Sequence, residues 1–451
     1  MKFYRKLFIF STLSTWLMTL LGNSHAQVST YLIFLPLVIC SGCKPSLPTA
    51  TSTPNVTATS TPSTTATSMP STTATSTPSS ATPSVLSVWM MNTTGESSTN
   101  FNVPVNVQSV SQVSSNGQPF AKVDTYGIPN YSTTISSAQI QELNSRPKAA
   151  TDFTNGQTTA AVGQVVIFGQ NIGYKSGACS KGYWPPGPTC PTGTSHTGYF
   201  PLLPQPASTQ TATGMGKIGF LVNGVSFYNW SDGQSYGNQR VWQNSAAAFE
   251  VYDMDICPGH AAMGDYHHHF YPTCLAAQLQ DTGAAASPIY GFAADGYPIY
   301  GPWEAAGDLA RSGWKTRDYS ADSATGCGVT NQRTCLLVSN TDISLGTVAA
   351  SSAGPATNQV VNSLSSNSFM AISGYYFQDY YYDPTCSICL DAHNGHDLHD
   401  GRGYHYHFTI TDAGNGSFRP AFPFGVGPYY AGVIHSNSLA SGGGNPPPPK
   451  P

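Results

Sequence analysis

From about residue 85 onward, apolar residues fall in short runs that alternate with polar residues and are separated by turn residues. This is the pattern of half-buried β-strands. It predicts strands at residues 103–113, 121–126, 164–168, 217–222, 225–228 and 246–252. The Asn223-Gly224 pair between two of these runs indicates a tight hairpin turn. Two short helices are expected, at residues 135–143 and 275–279, so the chain is predicted to be mainly β with short helices and long loops.

The composition agrees with this fold class. Only 9% of the 451 residues are charged, whereas 12% are aromatic, and 25 residues are Tyr. Tyr and Thr favour strands over helices, and Gly favours turns. The formal net charge of −4 offers no basic surface for a nucleic acid partner. We therefore expect a single large β domain at residues 85–436, within which residues 303–373 form a surface insertion.

The first 43 residues have the features of an export leader. Basic residues precede an apolar run, and a small-x-Ala sequence ends at Ala26. A second apolar run ends at Cys40-Ser-Gly-Cys43, which resembles a bacterial lipobox except that Cys40 stands where Leu is usual. Three alternatives remain open: a signal peptide at residues 1–26, a lipoprotein leader at residues 1–43 with a lipid anchor at Cys43, or a retained membrane anchor. All three place the remaining chain outside the cytoplasm.

Low-complexity segments flank the predicted domain. Residues 49–84 repeat Thr-Ala-Thr-Ser with a period of eight and a Pro in register. Such a segment has little to bury, so it is predicted to be a disordered, extended linker. A linker of this kind favours the lipid anchor, because it would hold the domain away from a surface. The Gly/Pro-rich tail at residues 437–451 is also expected to be disordered.

Eight cysteines follow the leader, and an even number predicts disulfides in an exported chain. Their spacing suggests three pairs, although the sequence leaves the connectivity open: Cys179–Cys190, Cys257–Cys274 and Cys327–Cys335. Cys386 and Cys389 are expected to form a structural disulfide, either within the chain or to a partner. The predicted β domain is therefore braced by disulfides.

Two histidine-rich stretches share one pattern, an Asp, a Gly-His and then a His-x-His pair. The residues are Asp255, His260, His267 and His269 in the first copy, and Asp391, His396, His405 and His407 in the second. The His-x-His pair begins seven residues after the Gly-His in one copy and nine residues after it in the other. Residues i and i+2 of a strand point to one face, so each pair can converge on one ion. The two copies either meet at one pseudo-symmetric site or form two neighbouring sites.

Three neutral imidazoles with an open coordination position suit Zn or Cu. We predict that a transition metal ion, Zn or Cu, is bound by His260, His267, His269, His396, His405 and His407. Asp255 and Asp391 could ligate the ion or orient a histidine, and Asp295 either forms a turn or faces the site. These three Asp residues are the catalytic candidates, with Glu304 and Asp383 as further acids. Alternatively, the histidines are structural and hydrogen-bonded to Asp and Tyr in a packed β core.

A conjunction of motifs resembles the YHYH-domain family. The motifs begin at Asn223, Asp255, Gly291 and Leu390, and the tetrapeptide Tyr404-His-Tyr-His407 gives the family its name. The likeness extends over residues 121–430 or so. The first copy departs from the pattern because it reads Tyr-His-His-His at residues 266–269, and the second copy has His393 where a Cys is common.

This resemblance implies an exported domain with a metal-binding or enzymatic role and an unassigned reaction. The predicted function is therefore that of an extracytoplasmic YHYH-type protein, lipid-anchored at the cell envelope or secreted. It is expected to bind a transition metal through the duplicated motif and could be a metal-dependent enzyme. The alternative is a non-catalytic binding or adhesion module in which the histidines are structural.

Overall fold

Short strands are the main regular secondary structure of the described residues. The computed structural model describes residues 85–175, 179, 187–414, 417–435 and 438–440. The expected leader, the lipid anchor at Cys43 and the linker at residues 49–84 lie outside the described residues. Within the described part, no helix is both long and apolar enough to cross a membrane.

The strands in the first half of the described chain are β1 (Val107–Ser115), β2 (Gln118–Thr125), β3 (Ser132–Thr134), β4 (Val165–Ile167), β5 (His196–Pro201), β6 (Pro206–Ala212), β7 (Lys217–Leu221), β8 (Ser226–Tyr228), β9 (Ser231–Ser235), β10 (Gln243–Ser245), β11 (His260–Ala262), β12 (Asp265–His268), β13 (Ile289–Ala293) and β14 (Pro298–Tyr300). The later strands are β15 (Trp303–Ala305), β16 (Asp308–Leu309), β17 (Trp314–Thr316), β18 (Cys335–Leu337), β19 (Thr347–Ala349), β20 (Val360–Asn362), β21 (Ser368–Met370), β22 (Tyr380–Tyr382), β23 (Gly395–His396), β24 (His405–His407), β25 (Ile410–Gly414), β26 (Ser417–Pro420), β27 (Tyr429–Gly432) and β28 (Leu439–Ala440). The helices are α1 (Ser137–Ser145), α2 (Ala149–Asp152), α3 (Ala246–Phe249) and α4 (Thr273–Gln278), with 3-10 turns at Tyr236–Asn238, Val251–Asp253, Ile343–Leu345 and Phe377–Asp379.

The eight-stranded sheet at the centre consists of two equivalent halves. Its strand order is β11-β12-β8-β7-β13-β14-β24-β23. In one half, β7 and β8 form an antiparallel hairpin, β8 pairs in parallel with β12, and β12 pairs antiparallel with β11. The other half repeats these pairings with β13, β14, β24 and β23. The internal duplication therefore includes the two hairpins as well as the two histidine motifs.

A pseudo-twofold axis relates the two halves. The middle strands β7 and β13 are antiparallel, and Phe220 lies directly opposite Phe292. The paired residues on either side obey the same symmetry, as do the backbone hydrogen bonds that flank them. Since adjacent antiparallel strands are related by an axis perpendicular to the sheet, equivalent residues of the two halves lie on the same face.

Both hairpins turn through a residue pair of one type. The turn predicted at Asn223-Gly224 is confirmed, and its counterpart is Asp295-Gly296. Both glycines have positive φ, +81° and +89°, and an added Cβ would approach other atoms to 2.3 and 2.6 Å. The side chains of Asn223 and Asp295 each accept the N–H two residues further on, at 3.2 Å. Of the two roles considered for Asp295, the structure shows the turn-forming one.

A second sheet covers the centre of the first. It has the order β1-β2-β5-β28, and its buried residues belong to the same apolar core as those of the large sheet. The ring of Phe200, which is fully buried, lies 5.7 Å from the ring of Phe220 and 6.2 Å from that of Phe292. Trp89 packs on both Phe200 and Phe292, at 5.6 and 5.5 Å. Burying a side chain of this size contributes about 1.5–3 kcal/mol, so these rings hold the two halves together.

Most of the predicted elements are confirmed, within a few residues at their ends. The helix expected at residues 135–143 is α1, and Ser136 and Gln139 form a capping box at its start. The strand expected at residues 246–252 was wrong, because this segment is the helical turn α3 followed by a 3-10 turn. Three consecutive Ala residues favour a helix over a strand. The prediction of a disordered tail at residues 437–451 was wrong for residues 438–440, because strand β28 pairs there with β5.

Four disulfides link the described cysteines. The three predicted pairs, Cys179–Cys190, Cys257–Cys274 and Cys327–Cys335, are confirmed. The fourth, Cys386–Cys389, lies within the chain rather than to a partner. The bond between Cys257 and Cys274 ties the loop before the first histidine hairpin to α4. The fold is therefore a mainly β, disulfide-braced domain with a duplicated histidine motif.

The segment at residues 303–373 is anchored in the interior rather than lying only on the surface. Its Arg333 is fully buried and makes a bidentate ion pair with Asp379, at 2.7 and 2.9 Å. Arg317 is 1% exposed and donates to backbone oxygens of Thr325 and Cys335. These contacts anchor the segment in the core, although most of its residues are at least partly exposed, as is typical of a surface insertion.

Candidate metal centres

The structure gathers the histidines into two separate clusters, each beside a glutamate. Site 1 consists of His260, His267, His269 and Glu250, and site 2 consists of His396, His405, His407 and Glu304. The possible ligand atoms of the three site 1 histidines lie within 4.8 Å of one another, as do those of the four site 2 residues. Five strand spacings of about 4.8 Å separate β12 from β24, so the sites are on the order of 24 Å apart across the sheet.

Strand pairing places the histidines of each cluster. In the antiparallel pair of β11 and β12, His260 lies directly opposite His267. The pair of β23 and β24 places His396 opposite His405 in the same way. The third histidine of each cluster lies two residues beyond the second and so projects from the same face. The unequal loops between the paired strands leave this arrangement unchanged.

In site 1, backbone carbonyls fix the orientation of two rings. Nδ1 of His267 donates to the oxygen of Asp265 at 2.9 Å, and Nδ1 of His269 donates to the oxygen of Asn229 at 2.5 Å. A carbonyl oxygen can only accept, so Nδ1 of each ring carries a proton and Nε2 is the atom that points into the cluster. The two Nε2 atoms are 3.1 Å apart.

Site 2 repeats this arrangement at equivalent positions. Nδ1 of His405 donates to the oxygen of Gly403 at 2.6 Å, and Nδ1 of His407 donates to that of Gly301 at 2.7 Å. Gly301 follows Tyr300 as Asn229 follows Tyr228, so the same hairpin edge supplies the acceptor in both copies. Nε2 of His405 is buried and has no hydrogen-bond partner among the described residues, and the Nε2 atoms of His396 and His407 are buried against the carboxylate of Glu304.

A glutamate carboxylate lies against the Nε2 atoms of each cluster. In site 1, Oε2 of Glu250 is 3.1 Å from Nε2 of His269 and 3.6 Å from Nε2 of His260. In site 2, Oε1 of Glu304 is 2.9 Å from Nε2 of His396 and 3.3 Å from that of His407. Site 2 therefore directs three imidazole nitrogens and one carboxylate oxygen towards a common point, whereas in site 1 the three imidazoles converge and Glu250 approaches two of them, His269 and His260.

Burial keeps most of these rings uncharged. It lowers the pKa of His407 to about 3 and that of His405 to about 4, and it lowers the pKa of His267 to about 3. Burial also opposes the charged form of His269, but the adjacent Glu250 outweighs it and raises the pKa of that ring. Burial would raise the pKa of Glu304, but the site 2 histidines lower it to about 2. Site 2 thus places the neutral rings of His405 and His407 beside an ionised carboxylate, whereas in site 1 the carboxylate of Glu250 favours the charged form of His269.

Asp255 and Asp391 shape the loops that carry the Gly-His histidines. Oδ1 of Asp255 accepts the N–H groups of Cys257 and Gly259, and its Oδ2 accepts the hydroxyl of Tyr266. Asp391 makes the same three bonds in the second copy, with the hydroxyl donated by Tyr404. Neither carboxylate forms a hydrogen bond with a cluster histidine in the described structure. Their position supports the loops rather than the ligating or orienting roles considered from the sequence.

Replacing Asp391 with Ala is expected to lower the free energy of unfolding by about 1–3 kcal/mol, because it leaves two N–H groups and the Tyr404 hydroxyl without their acceptor. Chemical denaturation measures this change. The matched control is Asp397→Ala, which removes a carboxylate that caps an exposed N–H in the same loop. An equal effect of the two substitutions would contradict the role given to Asp391.

Asp295 lies at the far end of the second hairpin, away from the Nε2 atoms of site 2. Its Oδ2 accepts the hydroxyl of Tyr406 at 2.5 Å and the N–H of Gly432 at 2.9 Å. The first copy has His268 in place of Tyr406, and Nε2 of His268 instead contacts the hydroxyl of Tyr131 at 2.9 Å. The residue between the two histidines of each pair therefore ties the site strand to a neighbouring segment.

The two sites differ in enclosure and in the charges around them. The three site 1 histidines are at most 3% exposed, whereas His396 in site 2 is 18% exposed; the two glutamates are alike, with Glu250 20% and Glu304 17% exposed. Arg402 lies beside site 2, with Nη2 at 3.3 Å from Glu304. In site 1, burial raises the pKa of Asp232 to about 7, and the nearby Glu250 adds to this rise. Site 2 is thus the more accessible cluster.

Sequence reasoning missed Glu250, and it named Glu304 only as a further acid. Glu304 lies four residues after Tyr300, and the equivalent position after Tyr228 is Asp232. In the first copy, however, the carboxylate against the histidines comes from Glu250, at the end of α3. Because residues 246–252 were expected to form a strand, the direction of Glu250 could not be anticipated. Asp383 pairs with Lys315 and belongs to neither cluster.

The donor set fits a transition metal ion. Zinc and copper both bind neutral imidazole nitrogens, and a carboxylate completes a four-ligand set. Buried polar atoms are normally paired, so several unpaired Nε2 atoms directed to one point are an exception that a cation would resolve. Metal-binding histidines commonly donate the N–H of their second ring nitrogen to a backbone carbonyl, and two Nδ1 atoms in each site do the same here.

Comparison with known proteins identifies the domain. Residues 197–415 match a protein-family model described as YHYH protein. No curated protein and no solved structure matches the chain. The matched segment begins within β5 and includes the whole eight-stranded sheet with both clusters. It is shorter than the span of about 121–430 expected from the sequence. Residues 197–415 of this chain belong to the YHYH protein family.

Proposed function

We propose that this protein binds two transition metal ions, one at site 1 and one at site 2. The observation that carries the proposal is the arrangement of the imidazoles in both copies. Two rings per site donate their Nδ1 protons to carbonyl oxygens, and these rings converge with a third histidine, joined in site 2 by Glu304. Two independent copies of the motif reach the same geometry although their loops differ in length.

The structural role considered for the histidines accounts for less of this arrangement. A histidine kept for hydrogen bonding would be expected to use both ring nitrogens when buried. His260 is fully buried, yet neither of its nitrogens has a hydrogen-bond partner among the described residues. His268 is the contrasting case, because its two nitrogens contact Pro258 and Tyr131. The cluster histidines therefore differ from a histidine of the same strand that is structural.

Zinc or copper is the proposed ion, because three imidazoles and one carboxylate suit the preferences of both metals. His396, His405, His407 and Glu304 would hold it in site 2, and the corresponding four residues would hold it in site 1. When bound, such an ion can act as a Lewis acid or lower the pKa of a coordinated water molecule. Site 2 is the better candidate for chemistry, because its greater exposure would allow a small molecule to approach.

We further propose that the protein acts outside the cytoplasm. Four disulfides support this location, because such bonds persist in oxidising compartments. The leader-like first 43 residues and the lipobox-like sequence at Cys43 favour export with a lipid anchor. The proposed function is therefore that of an extracytoplasmic metal-binding protein, lipid-anchored or secreted, with the metal proposal resting on the geometry of the two sites and the location on the leader sequence and the disulfides.

Elemental analysis of the purified protein tests the proposal. We expect two zinc or copper ions per chain, and one ion per chain in each of the double variants His267→Ala/His269→Ala and His405→Ala/His407→Ala. The matched control is His399→Ala, whose side chain is 88% exposed and which should retain two ions. Protein without bound metal after zinc or copper is supplied, or double variants with unchanged metal content, would rule out the assignment.

A further inference from the structure

A short segment, which we call the strap (residues 187–192), lies along the outer edge of the first histidine hairpin. Thr189 pairs with Ala261 of β11 in an isolated antiparallel bridge, and its N–H donates to the oxygen of Ala261 at 3.0 Å. The Thr189 hydroxyl donates to the same oxygen at 3.1 Å and accepts the N–H of Gly264 at 2.9 Å. The N–H of Thr192 donates to the oxygen of Gly264 at 3.0 Å. The strap therefore extends the sheet beyond β11.

The start of the strap fits between the two segments that carry site 1. A Cβ added at Gly187 would come within 2.7 Å of the backbone oxygen of Asp253 and 3.5 Å of Cβ of His260. Asp253 ends the 3-10 turn that follows Glu250, and His260 is itself a proposed ligand. Only a residue without a side chain can pass so close to both segments. The strap thus contacts the strand of His260 and the turn after Glu250 together.

A disulfide fastens the strap to the interior. Cys190 follows Thr189 within the strap, and its partner Cys179 is 5% exposed and belongs to the main apolar core. A disulfide limits the separation of the two residues that it joins. It therefore keeps the strap near the hairpin even when individual hydrogen bonds open.

The second histidine hairpin has no such strap. Strand β23 is the last strand of the sheet, and no described residue pairs with its outer edge. His260 is fully buried, whereas its counterpart His396 is 18% exposed. The strap also precedes residues 197–415, to which the family model matches. A segment outside the duplicated sheet therefore accounts for the better shelter of site 1.

We propose that the strap retains the ion of site 1, an inference that rests on the metal binding proposed above. An ion leaves a buried site by local opening, and segments with exposed backbone open most readily. The strap makes β11 an inner strand instead of an edge strand, and the Cys179–Cys190 disulfide holds it there. Site 1 is therefore expected to take up its ion before this disulfide closes and to hold it afterwards.

Acylation of the metal-free protein by diethylpyrocarbonate, read by tandem mass spectrometry, tests the strap without metal. In the variant Cys179→Ala/Cys190→Ala, we expect the site 1 histidines to react about tenfold faster than in the wild type, because local opening costs less. His396 should react at its wild-type rate. The matched control is Cys386→Ala/Cys389→Ala, which removes a disulfide away from the strap and should leave the site 1 rates unchanged.

Thr189→Val provides a second variant that keeps the disulfide and the size of the side chain. It removes the two hydrogen bonds of the Thr189 hydroxyl, so the site 1 histidines should react about threefold faster. Unchanged site 1 rates in the Thr189 variant would overturn the proposal. So would an equal acceleration at His396, which would mean that the whole domain had been loosened.

Release of zinc from the loaded protein to a chromogenic chelator then tests retention itself. We expect a fast phase from site 2 and a slow phase from site 1, and the slow phase alone should become about tenfold faster in Cys179→Ala/Cys190→Ala. An unchanged slow phase in a variant whose site 1 histidines acylate faster would overturn the proposal. Protein that takes up no zinc at all would instead contradict the metal proposal, because the acylation result does not depend on metal.

Discussion

Replacing Arg333 with Ala is expected to lower the free energy of unfolding by about 3–5 kcal/mol. Arg333 and Asp379 are both fully buried, and two charge-assisted hydrogen bonds join them at 2.7 and 2.9 Å. The arginine also donates to the backbone oxygen of Pro355 at 2.7 Å. Its removal leaves the Asp379 carboxylate buried without its cation, which costs more than the loss of a surface pair. Denaturant unfolding followed by circular dichroism measures the change.

The matched control is Arg311→Ala, which removes the exposed pair with Asp308. Both side chains of that pair are more than half exposed, and water and salt screen such pairs. We expect its unfolding midpoint to stay at the wild-type value. A loss of less than about 1 kcal/mol on replacing Arg333 would contradict the view that residues 303–373 are anchored in the core.

Loading both sites with zinc is expected to stabilise the fold strongly. Free metal at one hundred times the dissociation constant of a site contributes about 2.7 kcal/mol for that site, because the ligand set exists only in the folded chain. Two independent sites on the order of 24 Å apart should contribute additively. Thermal unfolding with and without zinc measures the total stabilisation by the two ions. The variants His267→Ala/His269→Ala and His405→Ala/His407→Ala should each retain about half of this stabilisation.

The two ions should also leave at different rates. The three histidines of site 1 are buried, whereas His396 of site 2 is partly exposed. A chelator should therefore remove the site 2 ion first, in a phase that is absent from the His405→Ala/His407→Ala variant. The stability gained on loading should disappear in two corresponding steps. Equal removal rates, or a zinc effect that survives in a variant lacking both pairs, would contradict the assignment of two unequal sites.

Much of the fold could be predicted from local sequence. The hairpin at Asn223-Gly224 is specified by a residue pair that tolerates positive φ between two apolar runs. Three disulfide pairs followed from neighbouring positions, and helix α1 followed from its capping residues. These features depend on residues close together in the chain. The duplication of the hairpins was not recognised, because Asn223-Gly224 and Asp295-Gly296 share only the glycine.

The acidic residues of the sites could be predicted less well than the histidines. The His-x-His pairs have a spacing that any strand projects to one face, so their convergence follows from local geometry. Glu250 reaches site 1 from a helical turn, and its direction depends on how that turn packs rather than on a pattern. The roles of Asp255 and Asp391 as loop supports depend on tyrosines eleven and thirteen residues away. Such contacts are set by the tertiary fold.

The pseudo-twofold axis between Phe220 and Phe292 has a consequence for the origin of the domain. An isologous dimer places one surface of a protomer against the same surface of its partner, and the β7–β13 pairing has this form within one chain. The arrangement is that of a symmetric homodimer whose two genes were joined end to end. Once joined, the copies could change separately. This accounts for the different residues at equivalent positions: the first copy has Asp232 where the second has Glu304, and Gly264 where the second has Arg402. Ancestral sites that were once identical would have become one sheltered centre and one accessible centre.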